Sequence, residues 1–174
     1  MSDIKEFLDG LIDDTAALRD KLESRLAVIE TPAVDRTLWT NFNIYGCSSA
    51  LDLSTTTQDV AGCTTGSFTP SIDMYAFVGV SMNYNLAVGT AACNAGDTLR
   101  GQLNVVYSAT DHLQTPNASM TADSGVGTYN VQKWYKIALT ANVPYTLKIV
   151  AANTVGNRGR VTPDTQLTVW LFPR

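Results

Sequence analysis

The apolar pattern changes period at Thr31-Pro32, and that change limits the chain to a helix followed by a β structure. Ile4, Leu8, Leu11, Thr15, Leu18, Leu22, Arg25 and Ile29 follow a strict 3-4 spacing. Six of these eight positions are apolar, which is the seam of a coiled coil and narrower than the stripe of an ordinary surface helix. Ser2 suits the N-cap, and Asp3 and Glu6 suit the positive end of the helix dipole. Pro32 ends the run, because proline disfavours helical geometry in the residue before it. From residue 36 the period is two: Leu38, Thr40, Phe42 and Ile44 face one way, and Trp39, Asn41, Asn43 and Tyr45 the other.

Charge changes at the same place. Residues 1–30 hold eight acidic and four basic side chains, whereas residues 31–174 hold eight of each, every acid being Asp. We therefore expect two parts: a helix over 1–31 for oligomerisation or anchoring, and a β-sandwich head over 32–174. Ile4, Leu8, Leu11, Leu18, Leu22 and Ile29 are the expected oligomerisation residues. Phe7, Ile12, Leu26 and Val28 widen the sticky face beyond what two strands need, which points to a trimer or to a coil that also docks on a larger surface. Packing of the helix back onto its own β domain is the alternative.

The expected strands are Met74–Leu86, Thr98–Ala109, Tyr129–Leu139, Tyr145–Ala152 and Gln166–Phe172, besides the one that starts near residue 36. Turn chemistry separates them at Gly96-Asp97, Thr115-Pro116-Asn117, Asp123-Ser124-Gly125, Gly156-Asn157 and Thr162-Pro163-Asp164. The Ser/Thr-rich stretch from Cys47 to about Pro70 reads as a long connection outside the core. Many strands joined by few tight two-residue turns suggest a jelly roll, so the fold class is mainly β: an N-terminal coiled-coil helix and a jelly-roll-like β-sandwich.

Function classes are narrowed by what the sequence lacks. A pI near 4.8 argues against nucleic-acid binding. No run approaches the roughly 20 apolar residues of a membrane helix, so membrane insertion is not expected. Asp3, Glu6 and Asp9 stand where a secretory peptide carries positive charge, which implies synthesis in a cytoplasm without a signal peptide. Cys47, Cys63 and Cys93 have no C-x-x-C spacing, and His112 cannot complete a zinc site with them, so neither metal nor cofactor is expected. A Cys47–Cys63 disulfide and buried free thiols both remain open, and cytosolic synthesis favours the thiols.

Asp111-His112 is the one hint of a hydrolase, and a solvated histidine is the simpler reading. Asp52, Asp59, Asp73, Asp97, Asp111, Asp123 and Asp164 all fall in or near expected turns, and Arg158 and Arg160 read as solvated loop residues. Trp39, Trp134 and Trp170 fall in expected strands, where core or interface packing is the first assignment and sugar recognition the second. No enzyme is expected.

One series carries a resemblance: Trp134, Tyr135, Ile137 and Leu139, then Ala141-Asn142-Val143-Pro144-Tyr145-Thr146-Leu147-Lys148-Ile149, then Thr165-Gln166-Leu167-Thr168-Val169-Trp170. It resembles the closing strands of trimeric jelly rolls of the tumour necrosis factor and complement type, an arrangement that bacteriophage fibre and decoration proteins also use. The likeness is confined to the part of the chain after Tyr129. It implies a homotrimeric virion appendage: a capsid decoration (head fibre) protein held by its helices, or a tail fibre tip. The implied partners are further copies of the chain, a major capsid or tail protein, and a host-surface glycan in the tail reading.

Overall fold

The computed structural model describes Asp20 and residues 42–174. The expected helix over 1–31, its seam residues and Trp39 lie outside the described residues. Eleven strands make up the described fold. They are β1 (Phe42–Gly46), β2 (Leu51–Asp52), β3 (Gln58–Phe68), β4 (Met74–Asn85), β5 (Thr98–Tyr107) and β6 (Thr110–Leu113), then β7 (Ala118–Thr121), β8 (Thr128–Leu139), β9 (Tyr145–Asn153), β10 (Arg160–Val161) and β11 (Gln166–Pro173).

Every pairing among them is antiparallel, in two sheets. In the first, β4 pairs with β8 on one side and with β11 and then β10 on the other; β1 extends β11 and β2 extends β10. The second runs β3-β9-β5, and β6 and β7 share the outer edge of β5. The strand orders β1-β11-β4-β8 and β3-β9-β5-β6 are those of a jelly roll, in which the chain crosses repeatedly between two antiparallel sheets through Greek-key connections.

Alternation decides what lies inside. On β4, Met74, Ala76, Val78, Val80, Met82 and Tyr84 are all buried. Across the register Val78 meets Val169 and Tyr135, so these two neighbours bury the same face. The second sheet contributes Leu99, Leu103 and Val105 from β5, and Leu147 and Ile149 from β9. Each of the Val, Leu, Ile and Met side chains among them stabilises the fold by about 1.5–3 kcal/mol through burial. Two phenols tie the first sheet to the segment that enters β7. Tyr84 Oη donates to the Ala118 carbonyl at 2.8 Å, and Tyr135 Oη to that of Pro116 at 2.7 Å. Burial raises the pKa of both phenols, which keeps them protonated donors.

The stretch from Cys47 to Pro70 is a correction to the sequence reading. It holds β2 and the eleven-residue β3, and it places Leu53, Val60 and Cys63 in the core. Register shifts between Asp59 and Thr64 and between Thr64 and Ser67 break its alternation, so the period-two signal is lost. As the edge strand of its sheet, β3 tolerates the small polar residues that disguised it. A second correction concerns the expected strand Thr98–Ala109. It ends at Tyr107, and Ser108 and Ala109 form a two-residue turn into β6 with φ of 51° and 57°.

Candidate functional site

The outward face of the first sheet carries many of the exposed large apolar side chains among the described residues. The register puts Phe42 beside Trp170, Trp170 beside Phe77, and Phe77 beside Lys136. The same alternation that buries Val78 and Val169 must turn these side chains to solvent. Phe42 is 50% exposed, Ile44 53%, Phe77 40%, Trp134 60% and Trp170 45%, all on this one face. Scattered apolar residues need no explanation, whereas a contiguous group marks a contact surface.

Two halves can be distinguished along the strands. One is aromatic: Phe42 meets Trp170 edge-on at 5.7 Å, Trp170 meets Phe172 at 5.4 Å, and Phe172 meets Phe77 edge-on at 5.5 Å. Lys136 Nζ stands 4.0 Å from the centre of the Tyr75 ring, a cation–π contact that leaves its ammonium at the surface. The other half is amide- and hydroxyl-rich. Asn130 Nδ2 donates to Ser81 Oγ at 2.9 Å and lies 3.0 Å from Asn83 Oδ1, and Asn83 Nδ2 donates to the Asp164 carbonyl at 2.8 Å.

Trp134 stands between the halves. Its cross-strand partner is Gly79, and the six-membered ring of the indole lies against the glycine. A Cβ on Gly79 would stand 2.8–3.1 Å from three ring atoms. An open, shallow depression results, lined by Gly79, Ser81, Gln132, Trp134, Gln166 and Thr168.

Several sequence expectations are corrected here. Trp134 and Trp170 are exposed on the sheet face, which removes the core half of the expectation and leaves the interface half standing. Strand propensity suits either face of a sheet, so their residue type did not decide between them. Arg158 is not simply solvated: it pairs with buried Asp97, Nη1 to Oδ1 at 3.4 Å. Arg160 lies in β10 and pairs with Asp52 of β2, which raises its pKa. Asp52, Asp59 and Asp111 stand in β2, β3 and β6, each within a few residues of a turn or bend, as expected. His112 belongs to β6 and stacks on Tyr107 at 4.0 Å and 12°, so it is half-buried and held against that ring. Among the described residues, no group of three or more His, Cys, Asp or Glu could hold a metal ion. Cys47, Cys63 and Cys93 are buried free thiols.

No family model and no curated protein matches the chain. Solved structures similar to it include the tumour necrosis factor Eiger of S. frugiperda, at 14% identity and a TM-score of 0.48, covering 76% of this chain and 94% of that one. A structure of infectious bursal disease virus, Gt strain, is 10% identical with a TM-score of 0.43, over 77% of this chain and 34% of that one. A pentameric capsid protein isolated from metagenomic phage sequences is 18% identical with a TM-score of 0.34, over 88% and 91%. These likenesses are remote, and the jelly-roll assignment rests on the strand order itself.

Proposed function

We propose that this chain is a non-enzymatic structural component of a bacteriophage virion: a homotrimeric capsid decoration, or head fibre, protein. Its N-terminal helices associate through Leu11, Leu18 and Leu22 and anchor it, and its β heads project outward. The observation that best supports this reading is the aromatic half of the sheet face. Phe42, Phe77, Trp170 and Phe172 form a connected apolar surface of the composition that assembly interfaces use. A jelly roll presenting such a face, preceded by a heptad seam, fits a chain that works by assembling.

A second reading, a tail-fibre tip that engages a host-surface glycan, is favoured by Trp134, which offers an open aromatic ring among amides. Copy number separates the two. Quantitative mass spectrometry of purified particles should find many copies per virion for decoration and a handful for a tail tip. Absence of the chain from particles would remove both readings.

A further inference from the structure

The geometry points to a carbohydrate subsite on Trp134, one that takes a pyranose ring of an uncharged oligosaccharide. This inference does not depend on where the head sits in a virion.

Gly79 makes the subsite possible. Because it has no side chain, the six-membered ring of Trp134 can settle into the space that a Cβ on Gly79 would need. The residue nevertheless remains 60% exposed, so aromatic surface is left open to solvent. An aromatic face carries partial negative charge, and the slightly positive axial C–H groups of a pyranose match it in shape and sign. Trp134 pays little entropy for this, having only two side-chain torsions, and Gly79 supports it from below.

What surrounds the ring selects the ligand. Ser81, Gln132, Gln166 and Thr168 line the depression with hydroxyl and amide groups, which donate and accept as sugar hydroxyls do. A small number of polar groups beside an apolar platform is the usual way a site fixes a ligand's orientation. Gln132 and Gln166 are both exposed and bring their amides to the depression. Ser81 is oriented by Asn130, which donates to its hydroxyl oxygen at 2.9 Å and leaves the hydroxyl proton for a ligand acceptor. No charged side chain lines the depression, which disfavours phosphate, sulfate and nucleic acid and favours a neutral glycan. Lys136, the nearest residue of β8 with charge on this face, is held over Tyr75 in the aromatic half.

The test is NMR of the full chain, which has three indole N–H signals, that of Trp134 being identified by its loss in Trp134→Phe. Maltohexaose, cellohexaose, xylohexaose and chitotetraose are titrated to millimolar concentration. At least one should move the Trp134 signal and the backbone amide signals of Gln132 and Thr168 saturably; followed by those amides, Gln132→Ala should weaken binding roughly tenfold, the loss of about one good hydrogen bond, and Trp134→Ala should abolish it. The inference is overturned if none of the four moves the signal, or if binding survives Trp134→Ala. A Trp134 signal that shifts with protein concentration alone, and not with sugar, would assign the ring to contact between copies and equally overturn it.

Discussion

Trp134 and Gly79 are cross-strand partners in which the indole of one occupies the space that a side chain on the other would need. Replacing Gly79 by alanine sets a Cβ about as close as 2.8 Å to the ring and must displace it. Crowding of this kind costs about 1–2 kcal/mol. In a Trp134→Ala background the obstacle is gone, and Gly79→Ala should instead stabilise the strand by about 0.5–1 kcal/mol through reduced chain entropy. The change of sign is read from urea unfolding of the four proteins in a double-mutant cycle. Equal effects of Gly79→Ala in both backgrounds would show that the ring does not rest there.

The turn between β5 and β6 should be improvable. Ser108 and Ala109 both have positive φ, a conformation in which a side chain other than Asn or Gly is strained. Ser108→Asn with Ala109→Gly should raise stability by about 1 kcal/mol or more, seen as a higher melting temperature. An unchanged melting temperature would mean that the turn relaxes away from this geometry.

These two features also show what was legible in the chain. Strands β4, β8, β9 and β11 could be read almost to the residue, because apolar alternation over long runs has no other good solution. The β5–β6 turn was missed because Ser-Ala lacks the Asn-Gly signature that marks such turns. Strand β3 was missed because its irregular register breaks the alternation. Period two also says nothing about which face is inside at an outer position, so Trp134 and Trp170 could be placed on strands but not on the solvent side. Pairing with Gly79 is a relation between residues 55 positions apart, and only the β4–β8 register reveals it.

Asp97 is buried beside β5, accepting from the Asn94 amide at 3.0 Å and facing Arg158. Asp97→Ala should cost about 3 kcal/mol, since it breaks a largely buried pair and strands the turn's amide. Arg158→Ala should cost less, because Asp97 keeps its backbone donor and the arginine is partly solvated. Denaturant midpoints rank the two; the reverse order would contradict the assignment.

The three thiols make a test of the core. Burial, with a smaller contribution from Cys47, pushes the Cys63 thiol from 9.0 up to about 12. In the unfolded chain the thiol ionises near 9.0, whereas in the folded chain it stays protonated until about 12. Stability is therefore intact below pH 9 and falls as pH rises towards 12, and the raised pKa of Tyr84 adds loss in the same direction. Native protein at mildly alkaline pH should react hardly at all with a disulfide reagent such as DTNB, and denatured protein should release three equivalents. A count of one after denaturation would mean that two of the thiols are joined.

Assembly is the centre of the proposed function, and the mass of the full chain in solution tests it most directly. Multi-angle light scattering at micromolar concentration should return three times the chain mass of 18.8 kDa. Leu18→Asp with Leu22→Asp places unpaired charges in the expected seam, a desolvation cost that a coil this short cannot offset. That variant should fall to the mass of one chain while its head keeps its melting transition. A wild-type mass of 18.8 kDa at the same concentration would contradict the account.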